Sequence, residues 1–328
     1  MNPAPGRRRF LKQAALLPVA AAALARPASA ATTPPPASSA SGALKLSLNG
    51  YSFNGLLMDG LAGKPGGISL FDVFTFCAEN GFDAIDPTGY YFPGYPEVPA
   101  RDYINQLKRH AHRLGLAISG TGIRNDFAQP DAAKRAADVT RAKAWIEAAS
   151  GLGAPVLRVF AGAIPKGYEE RWDEVAAWMI DCFRECAEHG KKHGVIVGVQ
   201  NHGDMLKSAD ECLKVMAAVK SEWCGLIVDT GNMLVADPYA DLARVVPSAV
   251  NWQLKESIRG NDPTQPADVA RLCRIIRDGG YRGYVPIETL VYKDQPYDPF
   301  KVVPAFARKV QAALADTDQP SEPEQHVS

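Results

Sequence analysis

The most constraining feature of this sequence is a regular alternation of short apolar runs and longer amphipathic segments from residue 44 to residue 315. The apolar runs are rich in β-branched residues, which is typical of strands buried on both faces of a parallel sheet. The segments between them have the length and the glycine endings of helices. We count eight strands and eight helices, and this order predicts an α/β fold, a single (β/α)8 TIM barrel.

An open doubly wound sheet is the main alternative for such a pattern, but it would usually carry a glycine-rich phosphate loop after its first strand. No G-x-G-x-x-G or G-x-x-x-x-G-K-[ST] motif follows that strand here. The predicted strands lie at 44–53, 82–86, 116–121, 155–160, 195–200, 224–229, 250–255 and 284–289. The predicted helices lie at 68–80, 101–114, 131–150, 170–193, 208–220, 238–246, 267–278 and 299–315.

The first thirty residues differ from the rest and predict an export signal. Residues 7–12 read RRRFLK, residues 14–24 are apolar, and residues 28–30 have the small side chains of a cleavage site. Paired arginines followed by Phe-Leu-Lys resemble a twin-arginine signal, with an arginine-rich general secretory signal as the alternative. The apolar run is too short to span a bilayer, so we expect no membrane anchor after cleavage. The mature protein is therefore expected to be periplasmic or secreted.

Two further segments lie outside the predicted barrel. Residues 31–43 are rich in Pro, Ser and Ala and predict a linker, whereas residues 316–328 predict a polar, disordered tail. Removal of residues 1–30 takes away five basic residues and no acidic one, which changes the balance from 36 basic against 36 acidic residues to 31 against 36, a net charge of about −5. A mildly acidic protein is a poor candidate for binding nucleic acid.

Six cysteines in an exported protein raise the question of disulfide bonds. Cys182 and Cys186 lie one turn apart on one predicted helix, a spacing that rarely gives the geometry of a disulfide. No C-x-x-C pair indicates zinc or thioredoxin chemistry. We therefore expect buried free thiols, with disulfides as the alternative.

Each of the last four predicted strands ends in polar residues. These ends read Gln200-Asn201-His202, Asp229-Thr230-Gly231-Asn232, Gln253-Leu254-Lys255-Glu256 and Glu288-Thr289. Because the carboxyl ends of barrel strands meet at one rim, where barrel enzymes place their chemistry, we expect these residues to form one site. Their oxygen atoms are suited to a hard divalent ion and a polyol.

At these strand ends the sequence resembles the xylose isomerase-like TIM barrels, a superfamily of sugar isomerases and epimerases that includes tagatose epimerase, hydroxypyruvate isomerase and inosose dehydratase. The resemblance covers about residues 44–315 and rests on Val228-Asp229-Thr230-Gly231-Asn232, Leu254-Lys255-Glu256 and Pro286-Ile287-Glu288. It implies Mn²⁺ or Mg²⁺ as the cofactor, with Gln200, Asp229, Gln253 and Glu288 as the metal ligands.

Two positions depart from the pattern of that superfamily. Gln200 stands where the family has Glu, and Gln253 stands where it has His. Each amide can still offer an oxygen to a metal, but neither carries a charge, so we expect weaker metal affinity. The epimerases use a pair of ligating glutamates as acid and base, and with a neutral Gln200 one member of that pair is missing.

Glu288 is the predicted base, with His202 or Lys255 polarising the carbonyl or serving as the acid. Substrate contacts are predicted for Arg158, Asn201, Trp252 and Glu256. Structural roles stay open beside these: Asp229 as a loop cap, His202 as a core residue, Arg158 in an ion pair, and Trp252 and the aromatic segment 90–95 as packing.

The sequence thus predicts an exported enzyme of the sugar isomerase or epimerase type, which moves a proton next to the carbonyl of a sugar or keto-sugar. Two alternatives are kept. One is a lyase or hydratase acting on 3-keto-glycosides by β-elimination, because a single base can serve that reaction. The other is a sugar-binding barrel that has lost turnover together with the family's Glu and His.

Overall fold

Nine parallel strands form one sheet that curls into a nearly closed barrel in the computed structural model, which describes residues 44–203, 205–261, 264–291 and 296–316. The predicted signal peptide at 1–30, the linker at 31–43 and residues 317–328 of the tail lie outside the described residues. The barrel strands are β1 (Lys45–Asn49), β2 (Ala84–Asp86), β3 (Ala117–Ile118), β4 (Thr121–Gly122), β5 (Val156–Phe160), β6 (Ile196–Gln200), β7 (Cys224–Asp229), β8 (Ala249–Lys255) and β11 (Tyr284–Glu288). Two short antiparallel strands, β9 (Ser257–Ile258) and β10 (Gln265–Pro266), form a separate ribbon.

The strand order is β3-β2-β1-β11-β8-β7-β6-β5-β4, and the barrel closes at the predicted strand 116–121. That strand is divided into β3, which pairs with β2, and β4, which pairs with β5. Thr88, just after β2, forms a parallel bridge with Gly122 of β4 across the gap. The eight predicted strands therefore occupy eight places around one barrel, and the predicted (β/α)8 fold is confirmed.

Helices follow the barrel strands and cover the outside of the sheet. They are α1 (Asn54–Leu61), α2 (Leu70–Glu79), α3 (Arg101–Leu114), α4 (Ala132–Leu152), α5 (Trp172–His193), α6 (Ala209–Val219), α7 (Pro238–Val245), α8 (Val269–Asp278) and α9 (Pro299–Asp316). The strand predicted at 44–53 ends at Asn49 in the structure, and the chain continues into a 3₁₀ turn and into α1, which the sequence pattern did not predict. The side chain of Asn49 accepts a hydrogen bond from the Tyr51 amide, and this turns the chain into a 3₁₀ turn before α1. Within the described ranges, no helix is both long and apolar enough to cross a membrane.

Strand side chains alternate between the helix-facing and the inward side of the barrel. Helix-facing positions such as Val199, Val228 and Leu254 are apolar and completely buried. Inward positions near the carboxyl ends of the strands are polar, although they are buried as well, and Arg158 and Asp229 are examples. The apolar core therefore lies between sheet and helices, and one end of the barrel interior contains polar groups.

The six cysteines are free, and five of them are buried, which confirms the predicted free thiols. Burial raises the pKa of Cys182 to about 11 and that of Cys212 to about 12. Because the thiolate is the nucleophile, such groups react slowly.

We expect the thiols of the native protein to react slowly with Ellman's reagent. After unfolding in guanidinium chloride, all six thiols should react. The measurement is the absorbance of the released thionitrobenzoate with time. Fewer than six thiols in the unfolded, unreduced protein would indicate a disulfide and contradict the structure.

Candidate active site

A cavity of about 670 Å³ opens at the carboxyl ends of the barrel strands. This volume lies within the range of about 300–1,000 Å³ that is usual for small-molecule sites. Six of the ten residues predicted as catalytic, metal-binding or substrate-binding line it: Arg158, Gln200, His202, Gln253, Lys255 and Glu288. The structure therefore brings the polar ends of β5, β6, β8 and β11 to one place.

Strand register explains which of these side chains meet. Glu288 of β11 is the register partner of Lys255 on β8, and Gln253 of β8 is the partner of Asp229 on β7. The Lys255 Nζ atom consequently lies 2.6 Å from Glu288 Oε1 and 3.2 Å from Asp229 Oδ2. Lys255 is 7% exposed, so one ammonium group joins two buried carboxylates.

The Asp229 carboxylate lies beneath the cavity floor, with no exposed surface, and accepts hydrogen bonds at both oxygens. Its Oδ2 accepts from Gln200 Nε2 at 2.6 Å and from Asn232 Nδ2 at 2.7 Å, in addition to the Lys255 contact. Its Oδ1 accepts from the Gly231 amide at 2.9 Å. Four donors therefore surround this carboxylate.

The partners of Gln200 determine the orientation of its amide. Gln200 Nε2 donates to Asp229 Oδ2 and to Gln253 Oε1, both at 2.6 Å, and Gln200 Oε1 accepts from Arg158 Nη1 at 3.0 Å. The opposite orientation would place the amide oxygen against two acceptor oxygens and the amide nitrogen against a guanidinium. Gln200 thus presents its nitrogen to the carboxylate and its oxygen to the cation.

Arg158 is buried at the cavity wall. Its Nη2 donates to the Tyr90 hydroxyl at 2.7 Å and to the Ile123 carbonyl at 3.3 Å, and its guanidinium lies 4.2 Å from the centroid of the Phe160 ring. A Cβ atom at Gly122 would clash with the Arg158 side chain, so a larger residue there would displace the guanidinium. Tyr90 belongs to the aromatic segment 90–95 and lines the cavity.

Electrostatics distinguish the two basic side chains at the rim. Burial acts to lower the pKa of Lys255, but Asp229 and Glu288 outweigh it and the pKa is raised. Burial lowers the pKa of His202, with smaller contributions from Lys255 and Arg158 in the same direction and an opposing one from Asp229. Near neutral pH the site therefore contains a charged ammonium and a mostly neutral imidazole.

Asp86 is an ionisable residue of this region that was not among the residues predicted for the site from the sequence. It ends β2, and burial raises its pKa to about 7, with Arg158 opposing and Glu288 adding to the increase. Its Oδ2 lies 3.4 Å from Asn251 Nδ2 on β8. Its place at the end of a predicted strand, like that of Asp229, is the sequence signal that would have found it.

Comparison with known families identifies the same fold. The family model described as xylose isomerase-like TIM barrel matches residues 74–309. The chain belongs to the xylose isomerase-like TIM barrel family. A search of curated protein sequences finds no match.

Solved structures share the fold of this xylose isomerase-like barrel. A D-psicose 3-epimerase with D-tagatose from Clostridium cellulolyticum is 16% identical with a TM-score of 0.64, over 84% of this chain and 98% of that chain. A 3-keto-D-glucoside 4-epimerase from E. coli is 14% identical with a TM-score of 0.60, over 84% and 99%. A xylose isomerase-like TIM barrel protein from Mycobacterium smegmatis in complex with magnesium is 19% identical with a TM-score of 0.59, over 83% and 98%. At these identities the likeness shows the fold alone.

The structure does not support three of the predicted substrate contacts in this xylose isomerase-like barrel. Trp252 is completely buried on the helix-facing side of β8, 6.0 Å from the Tyr281 ring, because it alternates with inward-facing Gln253. Asn201 is buried and bonds the backbone of Asp229 through both side-chain atoms, so it joins the ends of β6 and β7. Glu256 lines a different groove, beside β9 and β10.

The predicted Mn²⁺ or Mg²⁺ ligands Gln200, Asp229, Gln253 and Glu288 do converge, but their arrangement does not fit a divalent ion. Gln200 presents amide hydrogens rather than oxygen to the centre, and the Lys255 ammonium lies between the two carboxylates. An ion bridging Asp229 and Glu288 would meet this ammonium at short range, where like charges repel strongly.

A second group of possible metal ligands lies away from the barrel mouth. Glu147 on α4 and His189 and His193 on α5 have ligand atoms that all lie within 4.8 Å of one another. His189 Nε2 is 3.0 Å from Glu147 Oε1. This nitrogen and oxygen set is suited to a transition metal such as Zn²⁺.

We expect Asp229→Asn to lower the free energy of unfolding by about 3 kcal/mol, because it removes one charge of a buried ion pair and places an amide among four donors. The measurement is urea unfolding followed by circular dichroism. Asp173→Asn is the matched control. Its exposed pair with Lys214 should change stability by less than about 0.5 kcal/mol. Equal effects of the two substitutions would contradict the role given to Asp229.

Proposed function

We propose that this protein is a carbohydrate-active enzyme of the isomerase or epimerase type, which moves a proton at the carbon next to the carbonyl group of a sugar or keto-sugar. The proposal rests on one observation above all. A carboxylate, an ammonium, an imidazole and a guanidinium, from Glu288, Lys255, His202 and Arg158, line one cavity at the barrel mouth. These are the groups that remove a proton, stabilise the resulting oxyanion and return a proton.

Proton removal is assigned to Glu288. When its carboxylate takes the proton, the C–H bond breaks, the electron pair forms a carbon–carbon double bond, and the carbonyl oxygen becomes an oxyanion. Glu288 loses its negative charge in the same step. The Lys255 ammonium, 2.6 Å away, then has the new oxyanion as its anionic partner in place of Glu288. His202, whose pKa is lowered by burial, is the second candidate for the base.

The return of the proton decides the reaction. Delivery to the former carbonyl carbon gives an isomer, provided that the neighbouring hydroxyl passes its proton to the oxyanion and becomes the new carbonyl group. Delivery to the opposite face of the same carbon gives an epimer. Because Gln200 cannot ionise, the second carboxylate expected for a two-base epimerase is missing, and this favours chemistry served by one base.

Elimination from a 3-keto-glycoside is the second candidate reaction, and the neutral Gln200 is the observation that favours it. The oxyanion formed by proton removal would reform its carbonyl, a double bond would form between the α- and β-carbons, and the C–O bond at the β-carbon would break. The leaving oxygen would take the proton that Glu288 had removed. The similar solved structures of D-psicose 3-epimerase with D-tagatose and of 3-keto-D-glucoside 4-epimerase suggest which sugars to test.

Deuterium incorporation tests both reactions without knowledge of the product. In D₂O we expect the protein to exchange or remove the proton next to the carbonyl of at least one sugar in a panel of aldoses, ketoses and 3-keto-glycosides, measured by proton NMR. Glu288→Gln should slow this by about 10²-fold or more while the protein stays folded. Glu170→Gln, at an exposed position, is the matched control.

The outcomes separate the hypotheses. Near-normal exchange in Glu288→Gln together with loss in His202→Asn would move the base to His202. Sugar binding by calorimetry without exchange of any proton would contradict the enzyme and support the sugar-binding barrel.

Export through the twin-arginine pathway is proposed from the sequence RRRFLK at residues 7–12, with cleavage after Ala30 and the mature protein in the periplasm or outside the cell. Replacement of Arg7 and Arg8 by lysine should retain the precursor in the cytoplasm, as measured by fractionation and immunoblotting. Arg9→Lys is the control. Arg9 lies between the arginine pair and Phe10 and is not part of the pair, so this variant should be exported normally. Normal export of the double variant would exclude the twin-arginine route.

A further inference from the structure

The barrel mouth contains a cation of its own at the position where the family resemblance implies a metal ion. Lys255 Nζ lies 2.6 Å from Glu288 Oε1 and 3.2 Å from Asp229 Oδ2, and both of these carboxylates were predicted metal ligands. Lys255 also lines the cavity, so the ammonium faces the space in which a substrate would lie.

Charge at the site is compensated by protein groups. Asp229 and Glu288 contribute two negative charges, and Lys255 and Arg158 contribute two positive charges within the same hydrogen-bonded network. Gln200 in place of the family's Glu removes one negative charge and lowers the demand for a further cation, whereas Gln253 in place of the neutral His leaves the charge unchanged. A divalent ion would leave an excess of positive charge in a buried site.

Occupation by a divalent ion would require two rearrangements. The ammonium would have to leave the two carboxylates, and the Gln200 amide would have to turn its oxygen towards the ion. That turn would place the amide nitrogen against Arg158 Nη1, at present 3.0 Å from the amide oxygen, so two donors would face each other. It would also remove the 2.6 Å hydrogen bonds from Gln200 to Asp229 and Gln253.

We propose that the Lys255 ammonium takes the place of the divalent ion in this chain, holding Asp229 and Glu288 together and stabilising the oxyanion formed next to the sugar carbonyl, so that turnover requires no divalent metal. The part that concerns the oxyanion rests on the proposed function. The part that concerns the ion does not, since metal binding is measured without substrate.

Binding of Mn²⁺ tests the inference, because the electron paramagnetic resonance signal of free Mn²⁺ falls when the ion is bound. All variants are made in a His189→Gln, His193→Gln background, which removes the second group of possible ligands on α4 and α5. The background protein should leave the Mn²⁺ signal unchanged, and so should Gln200→Glu, in which the ammonium remains. Lys255→Met combined with Gln200→Glu should bind stoichiometric Mn²⁺, because three carboxylates then outnumber the one cation, Arg158, that remains in the network described above. Lys301→Met, at an exposed ion pair, is the control for loss of a lysine.

Thermal unfolding with and without Mn²⁺ gives a second readout for a variant that is unstable. An ion that binds the folded state raises the unfolding temperature, so Mn²⁺ should stabilise Lys255→Met combined with Gln200→Glu and should not stabilise the background protein. Stoichiometric Mn²⁺ binding by the background protein, or by Gln200→Glu with Lys255 in place, would overturn the inference. Failure of Lys255→Met with Gln200→Glu to bind or to be stabilised would overturn it as well.

The dependence of activity on metal is the third test of the inference. Proton exchange in D₂O should persist in the wild-type protein after dialysis against EDTA, and loss of exchange that Mn²⁺ or Mg²⁺ restores would overturn the inference. If no sugar is turned over while Mn²⁺ is excluded as expected, the proposed function fails and the assignment of Lys255 to the ion position stands.

Discussion

The structure of the barrel mouth depends on one electrostatic constraint. Asp229 and Glu288 are carboxylates placed inside the barrel, where removal from water costs several kcal/mol per ion unless a partner compensates the charge. Lys255 supplies that partner from the strand between them, since the sheet order is β11-β8-β7. Its pKa is raised because the attraction to the two carboxylates exceeds the effect of burial. The site is thus charged, buried and internally compensated.

The rest of the polar network follows from this ion pair. The Gln200 amide nitrogen faces Asp229, because the Asp229 carboxylate can only accept hydrogen bonds. The Gln200 amide oxygen therefore points to the other side, where it accepts a hydrogen bond from Arg158. Arg158 in turn donates to the Tyr90 hydroxyl. One continuous chain of hydrogen bonds therefore joins the last strands of the barrel to the loop after β2. A connected network of this kind holds charged groups in fixed positions, as electrostatic stabilisation of a transition state requires.

Membership of the xylose isomerase-like barrel family fixes the scaffold and leaves the chemistry to the residues at the rim. The three solved structures compared are 14–19% identical to this chain; two of them are epimerases and the third is a magnesium complex. In this chain Gln200 and Gln253 replace the family's Glu and His beside a retained Asp229 and Glu288. The same scaffold is therefore compatible with a different distribution of charge, and the function has to be derived from the side-chain contacts.

The sequence by itself determined the barrel and most of the rim, because strand and helix periodicity and the order of elements are local properties of the chain. It identified Gln200, Lys255 and Glu288 as neighbours, since consecutive strands of a barrel end at one rim. Only the tertiary structure decided what each side chain contacts. The hydrogen bonds of Gln200 to Asp229 and Gln253 join residues 29 and 53 positions apart, and their donors and acceptors depend on the register between strands. Alternation along β8 turned Trp252 towards the helices, and closure of the barrel brought Asp86 of β2 to Asn251 of β8, 165 positions away. A lysine therefore lies where the sequence pattern alone predicted a metal ion, because the pattern records which residues reach the rim but not which atoms fill the space between them.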